Sequence, residues 1–175
     1  MPPSYFDTPE KLSILRRMVA SLIGTPFFAN SEAPGKDGGM DCVHTLNWLY
    51  RSCGVLGLIQ IPRQAMDAGA HTDRSLLIEA FETWPAVRSR FACVWKRDAA
   101  ETQNPKPETP NFLLPGDALC FIAGKVPHHG GVLLEGGDFL HTLRADGVHT
   151  MRLDAVVRGL RILGQLAAVY RPLPL

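Results

Sequence analysis

Gly38-Gly39-Met40-Asp41-Cys42-Val43-His44-Thr45-Leu46 is the stretch from which the rest of this chain can be read. A glycine-rich approach ends in an acidic residue and a cysteine that opens a helical pattern. Asp41 is a good N-cap because its carboxylate accepts from the free N–H groups of the first turn, and this places Cys42 at the first helical position. The positive end of the helix dipole favours a thiolate there, and the thiolate is the nucleophilic form of cysteine. The stretch therefore reads as a nucleophile turn. Cys42, Leu46, Leu49, Tyr50 and Cys53 recur at the spacing of one helix face, and Gly54 ends the helix. At about 100° per residue His44 lies roughly 200° around the helix from Cys42, so the base that activates this thiol has to come from elsewhere.

Composition narrows the function classes. The chain has 175 residues, 46% hydrophobic and 20% charged, with a net charge of +1, and residues 1–175 read as one globular domain with enough chain for a core. With 8% aromatic residues and no basic run, nucleic acid is not expected as a partner. No stretch reaches the apolar length that spans a bilayer. The run after Arg16 and Arg17, Met18 to Ile23, is short, starts late and is helix-periodic, so it reads as mature structure and not as a signal peptide. The four cysteines, at 42, 53, 93 and 120, are expected to be reduced. Cys42 and Cys53 lie roughly 16 Å apart along one helix, far beyond the ~7 Å limit for bridged Cα atoms.

Thr8-Pro9-Glu10 starts a helix whose stripe of Leu12, Leu15, Met18, Val19 and Leu22 stops at Gly24. Glu32 to Gly39 forms a loop that delivers the nucleophile turn. Gln60 to His71 is irregular. Asp73 is the expected cap of a further helix that carries Leu76, Leu77, Ala80, Phe81 and Trp84 and ends at Pro85. Phe91 to Trp95 fits either a strand or a helix end. The proline-rich segment from Ala99 to Pro110 reads as a surface loop. Beyond it the period changes to short strand-like runs beginning at Asp117, Gly130, Asp138, Gly147 and Leu166, with a short helix expected over Asp154 to Leu163. Helices first and consecutive strands after indicate an α+β fold, the nucleophile helix packing on a C-terminal antiparallel sheet.

That sheet supplies the base. If the hairpin loop is the three residues Glu135-Gly136-Gly137, Gly131 faces His141, and His129 lies diagonally from His141 on the same face. A two-residue loop would put the two histidines on opposite faces. In the three-residue register Gly131 leaves room for two imidazoles to meet. Cysteine, histidine and a second orienting side chain are the parts of a thiol protease triad.

On these residues the chain resembles the NlpC family of papain-like cysteine peptidases. Gly24-Thr25-Pro26-Phe27 resembles the family's Gly-x-Pro-Tyr, Asp41-Cys42 its Asp-Cys-Ser-Gly, and Gly116-Asp117 its Gly-Asp-Leu strand. His129-Gly130-Gly131-Val132 resembles its His-Val-Gly-Ile, and Phe139-Leu140-His141 its Phe-Ile-His. The resemblance implies a papain-like α+β fold without cofactor or metal, and a substrate among bacterial cell-wall peptides cut at an amide such as the γ-D-glutamyl bond to diaminopimelate. It implies Cys42 as nucleophile, His129 as base and acid, and His141 as third member. A subgroup with similar loops and a similar tail, here Gly164 to Pro172, is associated with phage tails and gene transfer particles. Phage tail proteins are thus expected partners, with synthesis in the cytoplasm and either virion association or export without a signal.

Three residues depart from the family pattern, and with Asp41 they make up the expected substrate-binding set. Phe27 stands in place of a tyrosine whose hydroxyl helps hold the oxyanion, and Val43 and His44 replace Ser-Gly after the nucleophile. His128 is expected at an outward strand position, and His71 and His149 at the surface. A zinc site from these histidines lacks close-spaced ligand pairs. Two other functions stay open: a thiol amidase or acyl transferase on a non-murein substrate, and a non-catalytic tail or peptide-binding module with a vestigial site.

Overall fold

A computed structural model describes residues 1–64, 73–97, 112–157 and 160–174. His71 and the segment from Ala99 to Pro110 lie outside the described residues. The fold is α+β, with helices packed on a six-stranded antiparallel sheet.

Helix α1 spans Pro9–Leu22, capped by Thr8, whose hydroxyl accepts from the Lys11 N–H at 3.3 Å. It buries Leu15, Val19 and Leu22, and the N–H of Gly24 then donates to Val148 O at 2.9 Å, tying the helix end to the sheet. Two short strands follow, β1 (Glu32–Ala33) and β2 (Gly39–Met40), and then helix α2, Cys42–Ser52. Leu46, Leu49, Tyr50 and Cys53 are buried as the spacing predicts, each aliphatic or aromatic side chain contributing about 1.5–3 kcal/mol by leaving water. Helix α3 is Leu76–Thr83 and α4 is Pro85–Arg88. The cap of α3 is Ser75 and not Asp73: its hydroxyl accepts from Ile78 N–H at 3.1 Å, because the helix starts later than the first polar residue of the segment.

The sheet runs in the order β3 (Phe91–Lys96), β10 (Leu166–Pro172), β4 (Ala118–Ala123), β5 (Val126–Leu133), β6 (Asp138–Leu143), β7 (Gly147–Arg152). Phe91 to Trp95 is thus strand. The chain's last strand sits between β3 and β4 and is buried along its whole length. In place of the short helix expected over Asp154 to Leu163, the described residues of that span form the paired strands β8 (Val156–Val157) and β9 (Leu160–Arg161). Its Val-Val pair favours extended backbone over helix.

One sheet face carries Ala118, Cys120, Val132, Leu140, Val148, Ala168 and Tyr170 in a core with the helices; the other carries a second cluster of Leu119, Phe121, Leu133, Phe139, Leu153, Leu166 and Val169. All four cysteines are free thiols. Arg171, 1% exposed, grips the fully buried Asp117 with Nε on Oδ1 at 2.9 Å and Nη2 on Oδ2 at 2.8 Å, and donates further to Phe112 O at 2.6 Å. Burial raises the Asp117 carboxyl above its ordinary range, against the opposing pull of Arg171 and the Leu114 N–H.

Past the end of β5 the Leu134 N–H donates to Asp138 O at 2.7 Å, so the β5–β6 hairpin closes around the three residues Glu135–Gly137, with Gly136 and Gly137 at φ 77° and 85°, the left-handed conformations that glycine adopts freely. Leu133 pairs with Phe139, Val132 with Leu140 and Gly131 with His141. A Cβ on Gly131 would come within 2.7 Å of Phe139 Cδ2 and 2.9 Å of Leu140 O. The room made by that glycine is filled by the Phe139 ring, and the imidazoles meet beside it.

Candidate active site

Asp41 builds the turn that leads into Cys42. Its Oδ1 accepts from the His44 N–H at 2.9 Å, the N-cap bond, while Oδ2 accepts from the Asn30 N–H at 2.7 Å and ties the preceding loop to the helix start. Burial raises the Asp41 carboxyl, but the bonds from His44 and Asn30 outweigh it and leave the group below its ordinary range. Met40 N donates to Pro26 O at 3.0 Å and Phe28 N to Met40 O at 3.2 Å, which brings Phe27 alongside the turn. On the sheet side, the Thr45 and Thr142 hydroxyls meet at 2.7 Å and pin α2 to β6.

A cleft of about 340 Å³ opens where the N-terminus of α2 meets the end of the sheet. Cys42, His129, Phe27, Asp41 and Val43 all line it. His141, 3% exposed, lies behind His129, with His129 Nε2 3.0 Å from His141 Nδ1, so the two histidines share a face as the three-residue register requires. His44 does not line the cleft. Its Nδ1 turns back to Asp41 Oδ1 at 2.8 Å, since a side chain three residues along a helix from its cap reaches that cap more readily than the groove.

Cys42 is partly exposed, and its Sγ donates to His128 O at 3.8 Å. Burial pushes the thiol up to about 11, although the N–H groups of Gly130, Cys42 and Val43 pull it down and the charge of Asp41 adds to the rise. The helix N-terminus thus does not yield a resting thiolate, because loss of water costs the anion more than these dipoles return. Burial likewise lowers His129 to about 4, with His149 and His128 adding to the effect, and His141 to about 3, with His129 and His149 adding. The thiol and the imidazole that share the cleft thus both rest neutral.

Two histidines sit where their sequence positions did not suggest. The β4–β5 register shifts between Phe121, which pairs with His129, and Ile122, which pairs with Pro127, leaving His128 as an extra residue in β5. Such a bulge re-aims side chains, and His128 lines the cleft with His129 instead of pointing outward. His149 is half-buried, with its Nε2 3.0 Å from His141 Nε2. The signal was available: the next hairpin also has a three-residue connection, pairing Leu143 with Gly147, and that register sets His149 directly opposite His141. Arg144, in that connection, lines the cleft with its guanidinium carbon 5.8 Å from the centre of the Phe27 ring.

No protein-family model and no curated protein matches the chain. Solved structures do. A lipoprotein-like NLP/P60 family protein from Staphylococcus aureus superposes with a TM-score of 0.54 at 16% identity over 98% of this chain and 44% of its own. The P60 domain of a Mycobacterium avium paratuberculosis antigen gives 0.51 at 13% identity over 94% of this chain and 93% of its own. RipD of Mycobacterium tuberculosis, described as a non-catalytic NlpC/p60 domain protein adapted to peptidoglycan binding, gives 0.51 at 12% identity over 94% and 98%. The chain spans less than half the length of the staphylococcal protein. An α+β architecture, a helix opened by Cys42 and set against a six-stranded antiparallel sheet, and these superpositions together identify the fold of this chain as NlpC/P60.

Proposed function

We propose that this chain is a cysteine peptidase that hydrolyses an amide bond in bacterial cell-wall peptides, with Cys42 as nucleophile, His129 as general base and acid, and His141 as the residue that orients His129. The observation that supports this most is that Cys42, at the start of α2, and His129 line one cleft, with His129 hydrogen-bonded to His141 behind it. Because thiol and imidazole rest neutral, the proton leaves Sγ for His129 as Sγ bonds to the carbonyl carbon. The carbonyl π pair moves onto oxygen, stabilised by the Cys42 backbone N–H at the helix start. His129 then protonates the amine as the C–N bond breaks. In the second half water gives a proton to His129 and its oxygen bonds to the thioester carbon; the C–S bond breaks and the proton returns to sulfur.

The substrate we favour is the γ-D-glutamyl amide to diaminopimelate, supported by the similarity of motifs to the NlpC peptidases. Val43 and Arg144, both on the cleft wall, are positioned to contact the peptide, the guanidinium suiting a carboxylate. A phage-tail setting is supported by the similarity of the loops and C-terminal strand, and tail genes beside this one are its expected context. A peptide-binding module is the second reading, favoured by Phe27, which brings no hydroxyl to the cleft. Incubation with purified muropeptides, followed by mass spectrometry of the products, tests both readings: cleavage by the wild type and none by Cys42→Ala is expected. Muropeptides that bind but stay intact would establish the module instead.

A further inference from the structure

Three imidazoles stand in series behind the cleft. His129 Nε2 lies 3.0 Å from His141 Nδ1, His141 Nε2 lies 3.0 Å from His149 Nε2, and His149 Nδ1 lies 3.1 Å from Gly147 O. The far end of this chain is a carbonyl, which only accepts. His149 must therefore carry a proton on Nδ1, and when that is the ring's one proton its Nε2 accepts. His141 then donates from Nε2 and accepts at Nδ1. His129 in turn donates from Nε2, and its Nδ1 is left as a bare lone pair with no hydrogen-bond partner among the described residues. Each bond fixes the next, and within this series of three rings the nitrogen left to take a proton is Nδ1 of His129, which lines the cleft with Cys42.

We propose that His149 is a positioning residue: anchored on the Gly147 carbonyl, it sets the direction of all three histidine hydrogen bonds and so keeps His129 in the tautomer whose Nδ1 is a base. The β6–β7 hairpin builds this in, since it pairs Gly147 with Leu143 and His149 with His141, so the anchor and the ring it holds share one strand. Burial that lowers His129 to about 4 and His141 to about 3 keeps those two rings neutral, as the alternation needs. This role rests on the peptidase reading above for its purpose, but the ring polarity stands without it. A donor-only group at position 149 would reverse every bond and put a proton on His129 Nδ1, abolishing the base.

The test uses the full chain labelled with ¹⁵N-histidine at neutral pH, reading tautomers from long-range ¹H–¹⁵N correlations. His149 is expected to be protonated on Nδ1, and His141 and His129 on Nε2. His149→Phe should release His141 into a mixture of tautomers, and His149→Gln, which keeps an acceptor toward His141 and a donor toward Gly147, should restore a single one. In parallel, the Phe variant should lower kcat on a γ-D-glutamyl peptide, and the rate of Cys42 alkylation by iodoacetamide, by about 10- to 100-fold with KM little changed, the usual scale for a residue acting through another. A His141 protonated on Nδ1 in the wild type overturns the proposal, as does a Phe variant with unchanged tautomers and alkylation rate. If the tautomers are as stated but no peptide is cut, the peptidase reading fails and the ring polarity stands.

Discussion

Acid should destabilise this protein through its buried histidines, and the size of the effect follows from the site. His141 is 3% exposed and its imidazole is lowered from about 6.5 to about 3; His129 is lowered to about 4. Both folded values lie below the unfolded one, so between them the unfolded chain binds protons that the folded chain does not. Stability is therefore unaffected above pH ~6.5 and falls as pH drops toward 4 and 3, the reverse of a histidine that gains an acidic partner. Each unit in that window costs about 1.4 kcal/mol per histidine. At pH 5, 1.5 units below the unfolded value, the loss is about 2 kcal/mol for each and about 4 kcal/mol for the pair, a large share of a typical 5–15 kcal/mol. The two rings share a hydrogen bond and titrate as a unit, so the pair value is the one to compare with experiment. Urea unfolding at pH 7 and pH 5, for the wild type and for His141→Phe, isolates the effect from the carboxylates common to both. The variant should lose about 2 kcal/mol less than the wild type over this range. Equal losses in the two proteins would show that His141 is not held neutral by burial and would refute the electrostatic account of the site.

The same depressed imidazole places the acid limb of kcat/KM, which reports the free enzyme, near pH 4 and not near 6.5; a pH profile on a γ-D-glutamyl peptide checks it. Arg171→Met should cost about 3–5 kcal/mol in urea unfolding, because it strands the fully buried Asp117 carboxylate, and a loss under 1 kcal/mol would count against that pair as a structural anchor. Phe27→Tyr adds a donor at the cleft wall; a working peptidase should gain turnover by up to the 10²-fold typical of one oxyanion donor, and a binding module should gain none. His44→Gly should leave peptide preference unchanged and lower stability by about 1 kcal/mol or more, since His44 faces its own helix cap and not the groove.

Much of the site was legible because local rules and long-range ones agreed there. Asp41 caps and Cys42 follows, as spacing and capping chemistry require, and the glycines after Glu135 force a loop whose length sets the His129–His141 register. What escaped had three physical sources. The bulge that turns His128 into the cleft adds one residue to a strand, and alternation alone cannot count it. His149 was assigned to the surface because the register argument stopped one hairpin short. The ionisation of Cys42 was read from the helix dipole, a local effect, while desolvation depends on tertiary burial and prevails. The strand order, with β10 between β3 and β4, likewise follows from tertiary pairing that neighbouring residues do not encode.

The central claim is that Cys42 carries the acyl group. Wild-type protein mixed with a γ-D-glutamyl-diaminopimelate peptide, quenched in acid at early times and digested for mass mapping, reports it directly. The account predicts a thioester adduct of the glutamyl half on the peptide containing Cys42, formed together with free amine and lost in both Cys42→Ala and His129→Ala. Amine release that persists in Cys42→Ala, or an adduct on Cys53, Cys93 or Cys120 in place of Cys42, would contradict it.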